Sequence, residues 1–351
     1  MKDLKTSHKN WNTKRTIIFL CIVIAAKILV QLALYESGFI SVSADEFARG
    51  IRAAKWAQNP SFNILSDVKA TWLPFEKYLN GSVLLVWPDV IWAPRLTVFL
   101  ASCLVIIILF LLFNDLFENS LVAALSVSFL IFQPWYAWLS GTPMLEMYYL
   151  LFVFLGAYLF VLGTKNEKMV YWILAGLSFL IATGFHVQSW VYINLFNLLT
   201  VGYFFKNIKE KKFTKVITLI GFYVLGNALI MIFSMIEFFA TGNIFGFLSS
   251  HTNYSKWFYG GYSAPLIEKA IYYPKLVFEN VSGVVWILIA IAIVFFLHDE
   301  KTKRWKWFPL LFALLSMLIN SGMNILSVPA TAAPGRYSLI YIIAISPYIA
   351  R

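Results

Sequence analysis

Charged residues are scarce in this chain of 351 residues, at 13% against 60% hydrophobic, so each carboxylate and cation in an otherwise apolar setting is a candidate for chemistry. The densest cluster is Ser43-Ala-Asp45-Glu46-Phe-Ala-Arg49-Gly-Ile-Arg52-Ala-Ala-Lys55, two adjacent acids followed by three cations at spacing three. A carboxylate held against a substrate hydroxyl can take its proton, and an arginine can grip a phosphate with two parallel donors. Glu46 also fits the last position of a capping box begun by Ser43. Asp45 has no such task and is the freer of the two to face a site. Arg49, Arg52 and Lys55 fall along one side of the expected helix, which predicts that they rest among lipid headgroups. Two residues far along the chain extend the set. Glu146 follows Pro143 at the start of an apolar run, and Arg336 lies in Pro334-Gly335-Arg336-Tyr337 at the mouth of another. Lys77 and His186 are further cations at run ends that suit a phosphate.

The elements that must position these residues are apolar runs of about 17–22 residues, enough to cross a hydrocarbon core of roughly 30 Å. The spans expected are 16–35, 94–113, 121–138, 145–162, 170–186, 188–205, 216–236, 281–298, 308–327 and 337–350. The fold class is therefore an all-α integral membrane protein, a polytopic bundle of about ten transmembrane helices forming one domain over 1–351. Lys2, Lys5, Lys9, Lys14 and Arg15 precede the first run, and Lys206, Lys209, Lys211, Lys212 and Lys215 form one short loop. Lys301, Lys303, Arg304 and Lys306 form another. Basic short loops stay cytoplasmic, which predicts a cytoplasmic N-terminus and external loops at about 36–93 and 237–280, the first carrying juxtamembrane helices. The net charge of +11 is then topological, with attraction to membrane lipids and no nucleic-acid partner. Cys21 and Cys103 both fall in expected spans and make no disulfide framework or metal motif. No phosphate-cradling glycine loop or nucleophile elbow occurs. No cofactor is called for with certainty, a divalent metal being compatible with the acids and metal ligands unknown.

On Asp45-Glu46 after the first span, Trp72-Leu-Pro74, Ala93-Pro94-Arg95-Leu96, Pro134, Glu146, Gly176-Leu-Ser-Phe-Leu-Ile-Ala-Thr-Gly184, Arg336-Tyr337 and Pro347, the layout resembles the GT-C membrane glycosyltransferases. It is most similar to the protein O-mannosyltransferase and aminoarabinose transferase group (glycosyltransferase family 39-like). The resemblance implies inverting transfer of a sugar from a polyprenyl-phosphate donor to an acceptor hydroxyl on a protein, glycolipid or glycan, at the outer face of the cell membrane. It implies Asp45 as the acid that orients or deprotonates the acceptor and Arg336 as the arginine that holds the lipid-linked phosphate; beside them the residues themselves offer Glu46 and Glu146 as further site acids and Lys77 and His186 as further donor-phosphate cations. Many such enzymes continue into further helices or a C-terminal external domain, so it also implies a minimal or C-terminally shortened relative. The alternative is a multi-pass transporter or flippase, which would place charge near the bilayer midplane; Lys27, inside the first span, is the one residue that fits it. A non-catalytic scaffold would hold Asp45 and Arg336 more than about 15 Å apart, beyond reach of one small substrate.

Overall fold

A computed structural model describes residues 11–39, 41, 43–64, 72–244, 246, 264–281, 283, 286–287, 290, 304–326 and 335–349. Among them every regular element is helical: α1 (Thr13–Glu36), α2 (Ala44–Gln58), α3 (Phe75–Val86), α4 (Trp92–Phe117), α5 (Ser120–Ile131), α6 (Pro134–Ser140), α7 (Glu146–Asn166), α8 (Met169–Phe185), α9 (Val187–Lys209), α10 (Phe213–Thr241), α11 (Leu266–Glu279), α12 (Phe308–Leu326) and α13 (Leu339–Ile349). Short 3₁₀ turns at Arg304–Trp307 and Gly335–Ser338 precede the last two.

Among the described residues five helices are long and apolar enough to cross a membrane: α1, α4, α7, α10 and α12. A sixth crossing is available if α5 and α6 count as one, although they meet at a 70° bend. The continuous helix expected over 121–138 is thus corrected. Pro134 has no amide hydrogen to donate, and its ring drives Gln133 out of helical geometry, to φ −73° and ψ 123°. The Gln133 side chain then caps the new helix, accepting from the Tyr136 amide at 2.7 Å. Most of the expected span at 281–298, the basic residues Lys2, Lys5, Lys9, Lys301 and Lys303, and Pro334 lie outside the described residues.

Contacts between helix termini sort the bundle into two ends. At one, the Trp11 amide donates to Ser120 Oγ, Lys165 pairs with Asp115, and Lys215 with Glu167. At the other, the Tyr35 hydroxyl donates to the Gly141 carbonyl, and Tyr35 packs edge-on against Trp92. The long helices shuttle between these ends, so the first turns of α2, α4, α7 and α9 and the last turns of α1 and α8 share one. Packing is close where small residues let backbones approach. A side chain at Gly156 would meet the Phe179 ring at 2.4 Å, and one at Gly163 would meet Trp172 at 2.4 Å. These contacts lock α7, which begins at Glu146, against α8, which ends just before His186.

Candidate functional site

The helix that presents Asp45 starts as its sequence predicts. Ser43 Oγ accepts from the Asp45 amide at 3.3 Å, and Glu46 reaches back to accept from the Ser43 amide at 3.2 Å. Glu46 does more than cap: its Oε1 also accepts from the Trp138 indole at 2.9 Å, tying α2 to α6. Beside it stands the central feature of this end. Arg336 donates through Nε to Glu146 Oε1 at 2.5 Å and through Nη2 to Asp45 Oδ2 at 3.1 Å. Three residues predicted from separate stretches, up to 291 apart in sequence, therefore form one cluster. Its members differ in access: the Glu146 side chain is 0% exposed, Arg336 10% and Asp45 32%.

Burial alone would lower the Arg336 pKa, but the carboxylates of Glu146 and Asp45 outweigh it and hold the guanidinium charged, above its ordinary range. Neither carboxylate uses Nη1, and the second oxygen of Glu146 is buried without a hydrogen-bond partner. Buried orphan acceptors are rare, so this oxygen is a place where a donor from a substrate would be gained at little desolvation cost.

His186 reaches the cluster through the neighbour of Arg336. Its Nδ1 accepts from the Gln188 amide at 3.0 Å, capping α9, and Nε2 lies 2.9 Å from the Tyr337 hydroxyl. With Nδ1 accepting, the proton of a neutral ring sits on Nε2 and is donated to Tyr337. The Tyr149 ring stacks on the imidazole, with ring centroids 5.6 Å apart. Further inward, Gln188 donates to Tyr192 and Asn320, and Asn320 to Tyr341. This buried network holds α9, α12 and α13 together under the site. Lys77 is placed differently: its ammonium lies over the Tyr78 ring at 5.2 Å, outside the hydrogen-bonded set of Asp45, Glu146 and Arg336.

The expectation for Arg49, Arg52 and Lys55 requires correction. Only Lys55 is exposed. Arg52 donates to the carbonyls of Leu73 and Trp72 at 3.3 and 3.0 Å. Arg49 is 1% exposed, with its guanidinium 4.5 Å over the Trp72 ring and Nη1 3.7 Å from Glu76 Oε2. Glu76, from α3, is itself fully buried and accepts from Asn80 at 2.8 Å, while Tyr148 donates to Asn80 at 2.6 Å. Burial drives the Glu76 pKa up, against the pull of Arg49 and the Asn80 amide. A buried carboxylate needs a counter-charge, and the helix turns Arg49 to supply it. The outward positions of α2 are held instead by Phe47 and Ile51, more than half exposed, as suits a helix lying against lipid.

Among the described residues no group of three or more His, Cys, Asp and Glu is arranged to hold a metal ion. Asp45 and Glu146 are two carboxylates that share an arginine. No protein-family model matches the chain, and no curated protein is similar enough to register as a match.

Proposed function

We propose that the protein is a membrane glycosyltransferase that uses a polyprenyl-phosphate sugar, with ten crossings, a cytoplasmic N-terminus and the Asp45–Arg336–Glu146 cluster at the outer face. The observation that carries the reading is the convergence of one accessible acid, one buried acid and one arginine at the end of the bundle remote from the cationic loops. In this mechanism Asp45 takes the proton of an acceptor hydroxyl as its oxygen forms a bond to the anomeric carbon. The bond from that carbon to the phosphate oxygen breaks, and polyprenyl phosphate leaves. Attack from the face opposite the leaving group inverts the anomeric centre. Glu146 fixes Arg336, whose free Nη1 edge faces the charge that develops on the departing phosphate. Stabilising that charge is the larger expected contribution; positioned base catalysis supplies about 10²–10⁴-fold. The acceptor class is a protein, glycolipid or glycan.

The test is transfer by the purified full chain in detergent. A synthetic polyprenyl-phosphate hexose is offered with panels of peptide, glycolipid and glycan acceptors, and polyprenyl phosphate and glycosylated product are quantified. Transfer by the wild type and its loss in Asp45→Asn are expected; equal turnover by both would overturn the assignment.

A transporter is the second reading, favoured by the 70° break between α5 and α6 and by Lys27, buried in α1 with its ammonium 5.0 Å from the Phe99 ring and 4.9 Å from the Tyr136 ring. Uptake of a lipid-linked sugar into proteoliposomes without any covalent product would favour it.

A further inference from the structure

At the end of the bundle opposite Arg336, helices α4, α7, α9 and α12 part around a cavity of about 550 Å³, the size of ordinary small-molecule pockets. Its polar lining is Lys165, Lys206, Asp115, Glu118, Thr164 and Tyr203, and Gly202 lies in its wall with open space where a side chain would stand. Leu116, Val161 and Phe308 line this cavity and also the start of a second, wholly apolar slot. That slot continues inward past Phe113, Phe160 and Phe196 to Val153 and Phe154. From Lys165 to Val153 the wall is one face of α7, roughly 18 Å long at 1.5 Å per residue. A single leaflet of a hydrocarbon core about 30 Å thick has nearly that depth.

Charge favours one kind of occupant. The described side chains at this end include ten cations, Lys14, Arg15, Lys165, Lys168, Lys206, Lys209, Lys211, Lys212, Lys215 and Lys306, against four acids, Asp115, Glu118, Glu167 and Glu210. The two ammonium groups in that lining have acidic neighbours, Lys165 with Asp115 at 2.7 Å and Lys206 with Glu210 at 3.8 Å, but their side chains are 54% and 68% exposed. Exposed pairs of this kind are weak and can admit a third, anionic partner.

We propose that the cavity forms a binding site for one anionic phospholipid of the surrounding leaflet, its phosphate between Lys165 and Lys206 and one acyl chain running through the cavity to the mouth of the phenylalanine-lined slot, which is itself narrow at about 40 Å³. The site lies at the other end of the molecule from Asp45 and is independent of the catalytic reading. Native mass spectrometry of the full chain in mild detergent tests it, with phosphatidylglycerol and phosphatidylcholine titrated separately. One phosphatidylglycerol is expected to bind at a concentration at least tenfold below that for phosphatidylcholine. Gly202→Trp, which fills the cavity, is expected to weaken it at least tenfold with an unchanged melting curve. The double variant Lys165→Gln/Lys206→Gln, at exposed positions, should bring the two lipids to near-equal binding. Equal binding of both lipids by the wild type would overturn the proposal. So would wild-type affinity in folded Gly202→Trp. Should that variant not fold, an undiminished preference in the double lysine variant is equally decisive against it.

Discussion

Both ends of the bundle hold an ion pair at 2.5 Å, Arg336–Glu146 at one and Lys212–Glu210 at the other. Their surroundings could hardly differ more. The Arg336 and Glu146 side chains are 10% and 0% exposed, whereas Lys212 and Glu210 are 42% and 38% exposed. Coulomb energy scales inversely with the effective dielectric, so an equal distance carries a several-fold greater interaction in the dry site than at the wet end. Desolvation grows alongside it, so a buried pair is valuable only while both members are present. The acid-bearing end commits Glu46, Glu76 and Glu146 to nearly complete burial; the cation-rich end buries Lys306 but leaves most of its charges in solvent. One end is built to hold charges in fixed relation, the other to present them to a surface.

Variants that neutralise one charge at a time separate the two regimes. The largest effect is expected from Asp45→Asn, a loss of about 10²–10⁴-fold in turnover with an unchanged melting temperature, because Arg336 keeps Glu146; transfer assays and thermal melts measure both. Arg336→Gln strands two carboxylates, one fully buried, and is expected to cost about 3–5 kcal/mol of stability, read from chemical denaturation in detergent. Arg49→Met should cost a similar amount by leaving Glu76 uncompensated. The double variant Arg49→Met/Glu76→Met is expected to recover much of that loss, since exchanging a whole buried pair for apolar side chains is often close to neutral. A double variant as unstable as the single one would mean that Arg49 acts through packing on Trp72 instead. The smallest effect belongs to Lys165→Gln, under about 1 kcal/mol and fading with added salt, followed by the same denaturation in lipid-free detergent.

The sequence foretells the acid-bearing site better than its supports. Counting apolar runs brings Asp45, Glu146 and Arg336 to one end, because each residue lies beside the terminus of a run and helices of span length must alternate in direction. The capping box at Ser43 and Glu46 is a local pattern and is legible for that reason. Arg49 is not: three cations at spacing three present one stripe, and only the arrival of Glu76 on α3 decides which of them turns inward. The break at Gln133-Pro134 is hidden by the apolar residues on both sides, which make a run of span length although proline prevents one straight helix. The paired cavity at the cationic end has no signature in the chain, since it arises from four helices diverging and no single segment encodes it. Trp138 as the second partner of Glu46 depends on that same break, which aims α6 back at α2.

The order in which the cluster's members leave the ribosome has its own consequence. Asp45 emerges first, Glu146 about a hundred residues later, and Arg336 after a further 190. At ~5–20 residues per second, the 291 residues between Asp45 and Arg336 represent roughly 15–60 s of synthesis. For the last 190 of those residues, roughly 10–40 s, both acids are present without Arg336, and Glu146 cannot settle into its dry position at the head of α7 without a large desolvation penalty. The nascent bundle must therefore wait, with that helix end hydrated and unsealed, until the segment that carries Arg336 arrives. Ribosome-stalled chains ending before Arg336 should leave a cysteine placed near Glu146 open to water-soluble thiol reagents, and chains extended past Tyr348 should close it.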